Sequence, residues 1–140
     1  MRHAAAAVAA ALAIALAASA GCGGVSAADL FLLTRTGPTP GQRLVLLVNE
    51  EGGVTCNGGP VHKLDDAQIV KARGIQEDLR TPAGEHLHLP AQRGSVFSYS
   101  LRDENGTVSF ADNSAGQPHV FRDLALFVLQ TAQQVCHLPQ

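Results

Sequence analysis

The sequence predicts an α+β domain, a small antiparallel sheet of four to five strands with two helices packed on one face. Three observations lead there. Short runs rich in Leu, Val and Phe alternate with Gly/Pro/Asn turn clusters, two longer stretches repeat apolar residues at helical spacing, and the order is strands, helix, strands, helix. At 140 residues the chain has room for one core.

Residues 29–36 and 43–49 are β-like runs, and Gly37-Pro38-Thr39-Pro40-Gly41 between them can only be a turn or loop, so they form a hairpin. Glu50-Glu51-Gly52-Gly53 is a second turn before a short strand, Val54 to Cys56, which Asn57-Gly58-Gly59-Pro60 ends. Asp65 with Gln68 has the form of a capping box. Ile69, Ala72, Ile75 and Leu79 then recur at helical spacing until Thr81-Pro82 is expected to stop the helix. Gly74 inside it costs about 1 kcal/mol relative to Ala, so tertiary packing must hold this helix.

In residues 95–102, Phe97, Tyr99 and Leu101 alternate with Ser98, Ser100 and Arg102, which places one face in a core and the other toward water or a partner. Asp103-Glu104-Asn105-Gly106 supplies a hairpin turn, and Thr107 to Ala111 returns with Val108 and Phe110 inward. Pro118 suits a first helical position, and Phe121, Leu124, Val128, Ala132 and Val135 draw an apolar stripe on a helix of about 18 residues whose last turn carries Cys136.

Ahead of this domain, Met1-Arg2-His3 is a short positive segment and Ala4 to Ala18 an apolar run, followed by Ser19-Ala20-Gly21-Cys22. This is the pattern of an export signal, and the run is shorter than the ~20 residues a membrane span needs. Ala18-Ser19-Ala20 fits ordinary cleavage at the Ala20-Gly21 bond. Ser19-Ala20-Gly21-Cys22 resembles a lipobox, with Ser19 where a larger aliphatic residue is usual. The expected organisation is a lipoprotein-type signal peptide over 1–21, a flexible tether over 22–28 and one α+β domain over 29–140, with Cys22 acylated and the protein held on the outer face of the cytoplasmic membrane. Three Cys are awkward for an exported chain. Acylation of Cys22 removes the oddity and leaves Cys56 and Cys136, which in an oxidising compartment most simply pair; two buried free thiols are the alternative.

No residue constellation declares a reaction. With a net charge of −2 there is no basic excess to neutralise phosphates, so nucleic acid is not an expected partner. One Tyr and no Trp argue against a stacking platform for sugars or bases. Glu85, His86 and His88 are the one local cluster of potential metal ligands, and in an extended segment His86 and His88 project to the same side. Ser95, Ser98, Ser100, Ser109 and Ser114, with His119 and several Asp, could supply a hydrolase triple only on paper, since no nucleophile elbow, P-loop, H-E-x-x-H or C-x-x-C is present. The expectation is therefore a non-catalytic binding or accessory module without cofactor or metal, acting on an envelope or secreted protein. Its contact surface would be the polar sheet face and the turn beginning at Arg35, with Arg35, Thr36 and Arg43 as candidate residues. A small envelope hydrolase or metal-dependent enzyme centred on His86 and His88 is the rival.

The Ala-rich signal, the Cys, the tether and a domain with two further Cys resemble the uncharacterised small lipoproteins of high-GC Gram-positive bacteria. From Leu30 to about Val128, Arg35-Thr36-Gly37 with Gly41, Phe97 and Tyr99 followed by Thr107-Val108-Ser109-Phe110-Ala111-Asp112, and the Pro118 to Phe127 helix start are similar in pattern to the emfourin-type inhibitors of thermolysin-like metalloproteases. Pro38 stands where that family usually has a second Gly, and the Gly-rich segment around Cys56 is extra. The resemblance implies a small antiparallel sheet with both helices on one face and an inhibitor-like mode of action, and it assigns no inhibitory residue here.

Overall fold

Alternation along the first strand decides which way the sheet faces: Phe31, Leu33 and Arg35 are buried, while Leu32 and Thr34 are half-exposed and Thr36 is exposed. A computed structural model describes residues 29–138, so the signal segment, Cys22 and the tether lie outside the described residues. Within them run β1 (Asp29–Thr36), β2 (Leu44–Asn49), β3 (Gly53–Cys56), β4 (Val61–Lys63), α1 (Asp66–Gly84), β5 (Ser98–Arg102), β6 (Thr107–Ala111) and α2 (His119–Gln134). The strands form one antiparallel sheet in the order β4-β3-β2-β1-β5-β6. The N-terminal hairpin β1–β2 thus occupies the middle, with later strands added on both sides.

The fold is α+β with both helices on one face, as the patterning predicts, but the sheet has six strands rather than four or five. The extra one is β4, a three-residue edge strand pairing Val61 with Thr55, His62 with Val54 and Lys63 with Gly53. Cross-strand pairs Leu33–Leu46, Leu33–Leu101 and Leu101–Val108 line up the buried face. α2 seals it with Phe121, whose ring stacks on Phe110 at 4.3 Å while Phe110 stacks on Tyr99 at 5.0 Å. Phe127 meets Phe31 edge-on at 6.1 Å.

The capping box holds in α1: the Asp65 carboxylate accepts from the Gln68 amide at 2.7 Å and Gln68 Oε1 accepts from the Asp65 amide at 3.0 Å. The helix does not stop at Thr81-Pro82 but runs through Pro82 to Gly84. Proline there removes one hydrogen bond in the last turn, where the helix is ending anyway, and Ala83 on the far side is fully buried. Gly106, with φ near +152°, lies so close to the Ala83 carbonyl that any Cβ would collide with it, which docks the end of α1 onto the β5–β6 turn. α2 begins one residue after Pro118, which caps it instead of entering it. The Cys56 and Cys136 sulfurs lie at disulfide-bonding distance, with Cα atoms 5.9 Å apart and 80 residues between them. Cys136 sits just past α2 rather than in its last turn, its amide donating to the Thr131 carbonyl at 2.9 Å.

Candidate functional site

The face of the sheet turned away from the helices has nothing packed over it among the described residues, and its composition changes from one side to the other. Across β2, β1, β5 and β6 the register aligns Val45, Thr34, Ser100 and Ser109 in one row and Leu47, Leu32, Arg102 and Thr107 in the next. Thr36 and Ser98 pair beside them. Half-exposed aliphatic side chains therefore occupy the β2 side and hydroxyls the β5–β6 side. The hydroxyl side forms a shallow hollow of about 440 Å³, walled by Thr34, Thr36, Ser98, Ser100, Ser109 and the segment His88 to Ala91.

That segment is a rim grown along the outer edge of β6. The Ser109 amide donates to the Leu87 carbonyl at 3.0 Å and the Leu89 amide donates to the Ser109 carbonyl at 2.9 Å, a parallel bridge centred on His88 and Ser109. Each row of the open face then ends on an imidazole: His88 Nδ1 shares a 2.6 Å hydrogen bond with Ser109 Oγ, and His86 Nδ1 a 3.2 Å bond with Thr107 Oγ1. Both rings reach the same face, although His86 has a left-handed backbone with φ near +53° rather than an extended one. Their hydroxyl contacts engage Nδ1 of each ring and orient Nε2 outward from the contact. Among the described residues no three His, Cys, Asp or Glu side chains converge as metal ligands.

Ser109 and His88 are a hydroxyl and a base in contact, the first element of a nucleophile site. The rest of such a site is missing among the described residues: no carboxylate hydrogen-bonds to the His88 ring. As it stands, the pair can fix the rim to the sheet and offer hydrogen bonds to a ligand.

Two aspartates set the ends of this face. Asp103 is buried and its Oδ1 accepts from the Asn105 amide at 2.8 Å and the Gly106 amide at 3.0 Å, closing the β5–β6 turn. Asp112 accepts from Ser95 Oγ at 2.8 Å and from the amides of Val96 and Phe97 at 3.1 and 3.2 Å. Those amides are therefore held by a side chain, not a ladder, so β5 begins at Ser98 and not at Ser95 as the alternation predicts. Partial burial pushes the Asp112 carboxyl up, but the Ser95 hydroxyl and the amides of Val96, Phe97 and Asn113 together outweigh it and hold the group below the usual carboxylate value.

Of the three residues expected to share a contact surface, Arg35 faces away from the other two. Thr36 lies exposed at the end of the hydroxyl side of the open face. Arg43 is exposed beside the short 3₁₀ turn Pro40–Gln42, against a different hollow formed with Val45, Asn57 and Gly58. Arg35 points to the opposite, packed face and is only 5% exposed. Its position follows from strand alternation, two residues on from Leu33; a loop reading of Arg35-Thr36-Gly37 conceals it. The pairing of Ser109 with His88 was also not foreseeable, because their contact depends on the rim being drawn to β6 across 21 residues of chain.

No family model, curated protein or solved structure matches this chain. No helix among the described residues is long and apolar enough to cross a membrane.

Proposed function

We propose that the protein is an exported, lipid-anchored binding or accessory module without catalytic activity, attached through acylated Cys22 and acting by protein contact through the open face of its sheet. The observation that carries the reading is that face itself, a broad two-toned surface with rows of paired hydroxyls, unclad among the described residues while its reverse is packed by two helices. Hydroxyl rows supply many weak donors and acceptors, and the adjoining Val45, Leu32 and Leu47 supply half-exposed apolar area, the mixture of an ordinary protein contact rather than of a small-molecule pocket. The cysteine pair favours an oxidising compartment, and it leaves Cys22 as the single thiol for a lipid. The likeness to emfourin-type inhibitors makes a secreted metalloprotease the first partner class to try, with stoichiometric loss of protease activity as the readout.

The test is photo-crosslinking from the native membrane with a probe at Thr34 or Ser100, compared with one at Arg73 or Glu77 on the helix side. Capture of one protein from the sheet positions only is expected, and Cys22→Ser is expected to release the protein from the membrane fraction. Capture from the helix positions alone would place the contact elsewhere.

One observation favours a second reading, a small hydrolase: the 2.6 Å contact of Ser109 with His88. Labelling of the purified protein by a fluorophosphonate, abolished by Ser109→Ala, would establish it and displace the non-catalytic proposal; no labelling is the outcome expected.

A further inference from the structure

On the packed side of β1 the positions before Arg35 are Phe31 and Leu33, both fully buried, and a third apolar residue would continue the pattern. A guanidinium stands there instead. Burying such a charge costs several kcal/mol unless it is paired and hydrogen-bonded. What the protein gives it is slight: Nε donates to the Gln42 carbonyl at 3.3 Å, and Cζ lies 5.0 Å from the centre of the Phe97 ring. No carboxylate pairs with it among the described residues. The Asp112 carboxylate is turned to the amides of Val96 and Phe97, and Asp123 within α2 pairs with Lys71 and His119. The carbonyls of Thr131 and Ala132 at the end of α2 already accept from the amides of Val135, Cys136 and Leu138. The Nη donors of Arg35 have no partner among the described residues, and because Thr131 Oγ1 is the one side-chain atom there that is both fully buried and unpartnered, they reach solvent.

Those donors belong to the wall of a groove of about 260 Å³ between the sheet and the last turns of α2. Its other walls are apolar, Val96, Phe97, Leu129, Ala132 and Leu138, with the amides of Gln42 and Gln133 at the margin. The combination is a planar fork of donors, open at the groove on an otherwise buried side chain, with an apolar slot beside it, and a carboxylate is the anion whose geometry matches that fork.

We infer that this groove binds the C-terminal carboxylate of a partner polypeptide ending in an apolar residue, with the carboxylate on Arg35 and the terminal side chain against Phe97, Leu129 and Leu138. Size argues for a peptide end over a long acyl chain. The groove falls just below the roughly 300–1,000 Å³ of pockets that enclose small ligands, enough for one side chain. The glutamines flanking it suit a peptide bond and would leave polar groups unpaired against a hydrocarbon. The site lies on the other side of the sheet from the open face and does not depend on that face making a contact.

The test is an NMR titration of the full chain, following the Arg35 Nε–H and the amides of Val96 and Leu129. The probes are N-acetyl-Gly-Leu with a free carboxylate, the same peptide as its C-terminal amide, and octanoate. Saturating shifts from the free acid, at least about tenfold weaker binding of the amide, and still weaker binding of octanoate are expected. Arg35→Met should abolish the response. Leu129→Glu, on an exposed rim position, should weaken it by about tenfold or more through competition for the guanidinium without touching the core. Equal binding of acid and amide, tighter binding of octanoate, an undiminished response in Leu129→Glu, or no shift at about 10 mM free acid would each overturn the proposal.

Discussion

The two faces of this sheet are made from the same strands, residue by alternate residue, and they could hardly differ more. On the packed side Phe31, Leu33, Leu46, Leu101, Val108 and Phe110 are almost wholly removed from water. On the open side their immediate neighbours Leu32, Thr34, Ser100 and Ser109 remain accessible. Stability resides on the first face, where area is buried, and the second is free to vary with what it must meet. The comparison teaches that a single shift of register would exchange the two sets, so the strand pairing has to be enforced from elsewhere. The bulge at Leu30, the Asp103 turn and the Asp112 clamp are the devices that do so.

The sharpest way to break the comparison is to truncate matched residues on either side. Phe121→Ala removes a ring stacked on Phe110 and should cost about 3–5 kcal/mol in urea unfolding, whereas Thr34→Ala on the open face should stay within about 0.5 kcal/mol. Comparable losses from both would mean that something covers the open face in the folded protein. Reducing the bond between Cys56 and Cys136 comes next, with an expected loss of about 2–5 kcal/mol, read as a lowered midpoint with and without reductant.

A smaller effect should appear with acid. Because the folded protein holds the Asp112 carboxyl below its usual value, its contribution is complete above the unfolded value and is lost as pH falls through the folded one. Stability of the wild type should therefore fall more steeply below about pH 4 than that of Asp112→Asn, which keeps one acceptor oxygen for these amides but carries no charge to lose. The smallest expected change is a gain: no neighbouring group lies within 4 Å of a Cβ placed on Gly74, so Gly74→Ala should stabilise the protein by up to about 1 kcal/mol.

How much of this was legible in the sequence follows from how local each cause is. The inward positions of Leu33, Tyr99, Leu101, Val108 and Phe110 were written in period-two alternation, and the α1 cap in Asp65 and Gln68, because neighbours in the chain decide both. β4 was hidden since Val61-His62-Lys63 is too short to show alternation and exists as a strand only because β3 is beside it. The early start expected for β5 was wrong since Asp112, far along the chain, takes the amides that would have extended it. Of the candidate contact residues, Thr36 is on the open face, but Arg35 shows the limit: its chemistry is plain in the sequence, and only the parity of its place in β1 says that it lies under α2. His86 and His88 stood out by composition alone. That each ends a row of hydroxyls depends on pairings between segments distant in sequence.

The cysteine bond also divides the molecule in a way that packing does not. It closes residues 56 to 136 into a covalent ring holding β4, both helices, β5 and β6, while β1, β2 and β3 up to Cys56 stand outside that ring and fill the gap in its sheet. A pull on the chain entering β1 is resisted in shear by hydrogen bonds to β2 and β5 on either flank. When those yield, β1 leaves and the ring cannot open. Under load the protein would part into a keystone and an arch that remains closed.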